Sequence, residues 1–151
     1  MKMQDLNFPN IELRLKKNEG KAEIFDVFRN KFVVCTPEEW VRQNLLNFLV
    51  QFRNYPQNLI AVEKQLNING LIRRYDAVVF NKNIEPILII ECKAPDVEIN
   101  QETFDQICAY NSNLNLNYLL ISNGYQHIYM KKDAKEKFIF LDNIPYYEEI
   151  I

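Results

Sequence analysis

Apolar and polar residues alternate from Ile11 to Leu15, the period-2 pattern of a half-buried strand. Glu19-Gly20-Lys21 reads as a turn. Ile24–Phe28 and Phe32–Cys35 read as two short strands joined near Asn30. The pattern then changes period. Thr36-Pro37-Glu38-Glu39 is a helix start, with Thr36 as N-cap, Pro37 at the first helical position and Glu39 completing a capping box. Val41, Leu45, Phe48, Leu49 and Phe52 follow at helical spacing, and Pro56 sets the limit of that helix. Strands are predicted over Leu59–Ile68, Leu71–Phe80 and Glu85–Lys93. They are joined by turns at Asn69-Gly70 and Asn81-Lys82-Asn83. A second helix over Gln101–Leu114 carries Phe104, Ile107, Cys108 and Leu114 on one face. Strands Asn117–Ser122 and Tyr125–Lys131 flank an Asn123-Gly124 turn, and Phe138–Leu141 gives one more strand. The order predicts an α/β sandwich with a central mixed sheet flanked by helices, behind a β-rich lead-in. The middle strands are apolar on both faces and need cover on both sides.

One stretch breaks the apolar pattern. Arg73–Pro95 places Asp76 on one strand and Glu91-Cys92-Lys93 at the end of the next, directly after Ile87–Ile90. Charged groups are rarely buried unless paired, so such a conflict marks either an ion-pair cluster or a functional site. Side chains alternate along a strand, so Ile87, Ile89, Glu91 and Lys93 share one face while Cys92 points to the other. A two-residue hairpin at Lys82-Asn83 sets Asp76 opposite Ile89 and Arg74 opposite Glu91. Asp76 and Glu91 are then diagonal neighbours, roughly 7–8 Å apart at the backbone. A turn of odd length would put them on opposite faces. Two converging carboxylates repel, and a divalent cation removes the conflict. Oxygen ligands alone suit Mg²⁺ or Mn²⁺. Zinc does not fit, because His127 is the only histidine and the cysteines are scattered. Lys93 beside the ion can orient a water or stabilise a phosphoryl group, and the sum is metal-assisted phosphodiester hydrolysis.

Composition narrows the setting. The 151 residues suffice for one domain with a real core, and 48% hydrophobic with 25% charged is ordinary for a globular chain. Eighteen basic against 20 acidic residues give a net charge of −2, so binding to nucleic acid has to rest on a local patch. Cys35, Cys92 and Cys108 form no CxxC pair and no disulfide framework. With no signal-like or membrane-length apolar run, the expected location is the cytoplasm, with no membrane partner. Three glycines cannot build a glycine-rich phosphate loop.

Asp76 followed by Glu91-Cys92-Lys93 resembles the PD-(D/E)xK nuclease signature, with Tyr75 where the family name has proline. Gln106-Ile107-Cys108-Ala109-Tyr110 is similar to the QxxxY motif of the RecB-like branch. PEEWVRQ, the VEK strand, RRYDAVVF, ILIIECKAP, FDQICAYN and ISNG together resemble the N-terminal nuclease domain of type I restriction enzyme R (HsdR) subunits, over about residues 36–130. The resemblance implies a restriction-endonuclease-like fold in one domain. Residues 1–35 would be the lead-in, 36–131 the nuclease-like core and 132–151 a C-terminal extension. It implies a Mg²⁺- or Mn²⁺-dependent DNA endonuclease, with Asp76 and Glu91 as metal carboxylates and Lys93 as catalytic lysine. Gln106 and Tyr110, one helical turn apart, would be active-site residues. Its partners would be DNA and helicase or restriction-modification subunits. The helicase-translocase domains of large R subunits are not in these residues, so the resemblance implies a nuclease-type domain alone. The alternative is an inactive nuclease-fold module for nucleic-acid binding or subunit docking.

Other residues remain open. Glu63 is either an extra acid near the metal or a paired strand residue. Arg73 and Arg74 either contact phosphate or, for Arg74, neutralise Glu91. Glu39 is read as a cap, and Arg42 and Gln43 as a solvated helix face. Trp40, Tyr146 and Tyr147 are read as packing residues that could also stack on bases. A Cys92–His127 thiol nucleophile lacks an orienting third group.

Overall fold

The computed structural model describes residues 3–68, 70–112 and 116–151, with Ile68 through its backbone alone. The expected turn residue Asn69 and the expected helix residue Leu114 lie outside the described residues. The first strand is β1, Leu15–Asn18, four residues later than the alternation from Ile11 suggests. It pairs with β2 (Lys21–Asp26), and β2 pairs with β3 (Lys31–Val34), in a small antiparallel sheet. Both links need left-handed backbone: Glu19 and Gly20 in the first, Asn30 in the second.

Helix α1 spans Pro37–Arg53. Thr36 accepts the Glu39 N–H at 3.1 Å, so half of the expected capping box forms. The Glu39 carboxylate does not turn back to the cap; it is bound elsewhere. Asn54 ends the helix in the left-handed conformation (φ 60°), two residues before Pro56. Val41, Leu45, Leu46 and Leu49 are fully buried, whereas Phe52 stays exposed and stacks on Phe48.

The main sheet runs in the order β4-β5-β6-β7-β8-β9. Its strands are Ile60–Ile68, Leu71–Phe80, Pro86–Cys92, Tyr118–Ser122, His127–Lys132 and Phe138–Leu141. Among the described residues only the β6–β7 pair is parallel, and helix α2 (Gln101–Asn111) forms its crossover. Helix α1 covers one face, over Ala77, Val79, Leu88, Ile90 and Leu120. Val78, Ile89, Leu119, Ile121 and Met130 face the other side, with Phe104, Ile107 and Cys108 of α2. The expected two-sided cover is thus met by one helix per face.

The N-terminal segment straps across the α1 side. Asn7 N–H donates to the Gly124 carbonyl at 2.8 Å, and a Cβ at Gly124 would meet Leu6 Cδ2 at 2.7 Å. Gly124 also holds φ +89°, so both backbone geometry and close approach require glycine there.

Candidate active site

The β5–β6 hairpin departs from the expected register in two ways that cancel. Asn81 pairs with Glu85 (N–H to carbonyl, 2.9 Å), leaving the three-residue turn Lys82-Asn83-Ile84 with Ile84 left-handed at φ 60°. Alone, this odd turn would separate the carboxylates. A register shift follows at once, from Phe80↔Pro86 to Val79↔Leu88, and the extra residue Ile87 restores the parity. The ladder continues through Ala77↔Ile90, which sets Asp76 beside Glu91 rather than opposite Ile89. There the strands part. The Cys92 N–H donates to Asp76 Oδ2 at 2.6 Å instead of to a β5 carbonyl. Side-chain alternation also slips at this point, since Tyr75 packs in the α2-side core although Ala77 faces α1. On β4, Glu63 lies in the row of Asp76, between Val62↔Ala77 and Lys64↔Tyr75, and takes φ 51° in mid-strand. A bulky residue with positive φ in a strand is strained, and such strain collects at functional sites.

The Glu91 carboxyl lies beside Asp76 and is pushed up to about 8. Burial is the main cause, the Asp76 carboxylate adds to it, and Lys93 opposes it. Lys93 follows β6, with its N–H on the Ser122 carbonyl at 2.8 Å. Arg74, Glu91, Lys93, Gln106, Ile107 and Tyr110 line one cleft of about 370 Å³. The structure therefore gathers Asp76, Glu91, Lys93, Gln106, Tyr110 and Arg74 at one end of the sheet.

Glu63 is near but committed elsewhere. Its carboxylate meets Arg74 at 2.8 Å, Arg29 at 3.1 Å and Arg42 at 3.6 Å. Burial alone would raise it, but the three guanidinium charges hold it below its usual range. Of the two roles left open for Arg74, neutralisation of Glu91 is not observed; Arg74 pairs with Glu63 instead. Arg73 stacks on the Tyr110 ring at 3.9 Å and donates to the Tyr110 carbonyl. Cys92 is buried, its thiol pushed well above the usual range by that burial. His127 is bound to the Asn7 carbonyl and the Ser122 hydroxyl, so no thiol–imidazole pair forms.

The solvated helix face expected at Arg42 and Gln43 is instead buried. The reason is electrostatic: α1 turns its polar side toward the carboxylates of the sheet. Arg42 reaches Glu39 at 2.9 Å, Asp76 at 3.1 Å and Glu38 at 3.5 Å, and Gln43 donates to Glu39 at 2.9 Å. Glu38 adds a third carboxyl facing Asp76 and Lys93, raised by burial and by Asp76.

Among the described residues, no group of three or more His, Cys, Asp and Glu side chains stands in ligand geometry. Asp76 and Glu91 offer two hard carboxylates, which fits Mg²⁺, an ion that keeps several waters and takes few protein ligands. With every group ionised, six carboxylates (Asp26, Glu38, Glu39, Glu63, Asp76, Glu91) face the four cations Arg29, Arg42, Arg74 and Lys93, a formal excess of two negative charges that a divalent ion would balance; without one, the raised Glu91 carboxyl holds a proton.

A family model described as the type I restriction enzyme R protein N terminus (HSDR_N) matches residues 37–145, well over half of the chain. The chain belongs to that family. No curated protein matches it. A solved fragment described as an HsdR subunit of a type I restriction enzyme, from Vibrio vulnificus YJ016, is similar at 18% identity with a TM-score of 0.55. The match covers 77% of this chain and 24% of that one, so this chain spans about a quarter of its solved neighbour. At that identity the likeness is one of fold. In this R-protein N-terminal domain, sequence reasoning missed Glu38 and Arg29 as site neighbours and misplaced Arg42. The Pro-Glu-Glu start of α1 signals a cap, and the same acids serve the site. Arg29 lies before the matched segment and has no sequence signal.

Proposed function

We propose that this domain is a Mg²⁺-dependent DNA endonuclease, the nuclease module of a type I restriction system. The observation that carries this reading is the Asp76–Glu91 carboxyl pair, set side by side by the β5–β6 register, with Lys93 next to it and Gln106 and Tyr110 on the facing helix. Asp76 and Glu91 would hold the cation, which when bound supplies Lewis-acid polarisation and a more acidic water. The Lys93 ammonium neutralises charge building on the phosphoryl oxygens. Arg74, exposed at the rim, meets the phosphate backbone as a positioning contact. Gln106 and Tyr110 form the α2 wall and limit how a strand lies over the carboxylates. Partner subunits of helicase or restriction-modification type would bring DNA to the cleft.

The test is cleavage of plasmid and single-stranded DNA with Mg²⁺ or Mn²⁺. Lys93→Ala and Glu91→Ala are expected to lower the rate by about 10²-fold or more. Equal rates in parent and variants would remove the enzymatic reading. A second reading, a module that binds nucleic acid or a partner subunit without cutting, draws on Asp76 having both oxygens engaged inside the protein. It requires DNA or subunit binding that Lys93→Ala and Glu91→Ala leave intact, with no metal-dependent cleavage by the parent.

A further inference from the structure

We propose that Arg42 is a positioning residue that fixes Asp76 for the cation, and that Arg29 in the N-terminal sheet holds Arg42 in place. The inference rests on the metal-site reading above and extends it to a part of the chain before the matched segment, which begins at residue 37. Arg42 is only 5% exposed. Its guanidinium spans two sides of the cluster, one terminal nitrogen on Glu39 Oε2 and the other on Asp76 Oδ1. The Cys92 N–H takes Asp76 Oδ2. The Asp76 carboxylate is therefore held at both oxygens, and each oxygen keeps a lone pair for a further ligand.

Arg29 sets the other end. It sits in the β2–β3 turn, where the fully buried Asp26 accepts the Phe28 N–H at 2.7 Å, the Arg29 N–H at 2.9 Å and the Arg29 Nε–H. From there it reaches Glu39 at 2.9 Å and Glu63 at 3.1 Å, the same two carboxylates that Arg42 touches. Two arginines and two glutamates thus tie the small sheet to the metal carboxylate. A planar fork can bridge two carboxylates at fixed distances, whereas an ammonium is a point charge. Partners that orient a metal ligand in this way are typically worth about 10- to 100-fold in metal affinity.

The experiment measures Mn²⁺ dissociation constants by electron paramagnetic resonance on the full chain. The parent is compared with Arg42→Lys, Arg29→Lys and Lys16→Ala, after circular dichroism and melting curves. Arg42→Lys is expected to weaken Mn²⁺ binding about tenfold or more. Arg29→Lys, at a more exposed turn and a safer variant for folding, is expected to weaken it about threefold or more, less than Arg42→Lys because it acts on Asp76 only through Arg42. Lys16→Ala, which breaks a surface ion pair with Glu23 on the same small sheet, leaves it unchanged. Parent-like affinity in Arg42→Lys overturns the positioning role while leaving the metal site standing. Parent-like affinity in Arg29→Lys alone overturns the link to the small sheet. Absence of Mn²⁺ binding by the parent overturns both the metal reading and this one.

Discussion

Glu91 carries the largest pH lever in the site. Its folded carboxyl lies near 8 against an ordinary 4.5, so between those values the folded chain holds a proton that the unfolded chain has released. The stability this proton confers is complete below about 4.5 and is lost as pH rises through 8. The metal-free protein is therefore expected to lose about 2–4 kcal/mol across that window, seen as a drop of about 5–10 °C in Tm. Glu91→Gln flattens most of the slope, and a Tm that is level from pH 5 to 8 in the parent would refute the assignment. The burial of Glu91 follows from the apolar run before it, so the conflict was readable in the sequence. The neighbours of Glu91 were not. Arg42 and Glu38 lie about fifty residues upstream, and no local pattern distinguishes a helix face turned to solvent from one turned to a carboxylate cluster.

The β5–β6 hairpin shows how an element can reach the right outcome by another route. The alternation in Leu71–Phe80 and Glu85–Lys93 identified both strands and the shared side of Asp76 and Glu91. The turn length and the extra residue Ile87 were invisible, because neither changes the apolar pattern by more than one position. Ile84 holds a left-handed backbone with a β-branched side chain and is 66% exposed, so it gains little packing in return. Ile84→Gly is expected to stabilise the protein by about 1 kcal/mol, by relieving that conformation. Urea denaturation midpoints check this, and a destabilised variant would show that the Ile84 side chain contributes packing after all. Helix α1 was the more legible element, since Thr36, Pro37 and the residue before Pro56 are local signals for both ends.

The C-terminal segment gains its role only in the assembled chain. Tyr147 is buried against Tyr55 (ring centroids 5.6 Å apart) and donates to the Phe80 carbonyl at 3.0 Å, and Ile150 joins the same core. Tyr55 and Tyr129 meet beneath it at 3.2 Å between their hydroxyls. Tyr147→Ala is expected to cost about 3 kcal/mol, a fall of about 8 °C in Tm. A shift under 2 °C would mean that the segment lies loosely on the core. The Tyr/Glu-rich composition gave no sign of this, because a short 3-10 turn has no periodic face to read. Asn123-Gly124, by contrast, carried a local turn signal, and the close approach of Leu6 adds a second, tertiary reason for glycine there.

By itself the sequence determined the element order, the apolar faces of the helices and strands, and the residues Asp76 within one strand and Glu91 and Lys93 at the end of the next. These are matters of period, capping and local charge, written within a few residues of each other. The tertiary structure alone decided the bulge that restores parity, the opening of the ladder at Asp76, and the arginine–carboxylate network from Asp26 to Asp76. The bulge depends on how the hairpin packs rather than on its apolar pattern, and the opened ladder and the network bring Arg29, Arg42, Glu63 and Asp76 together from separate elements, so no window along the chain shows the whole arrangement.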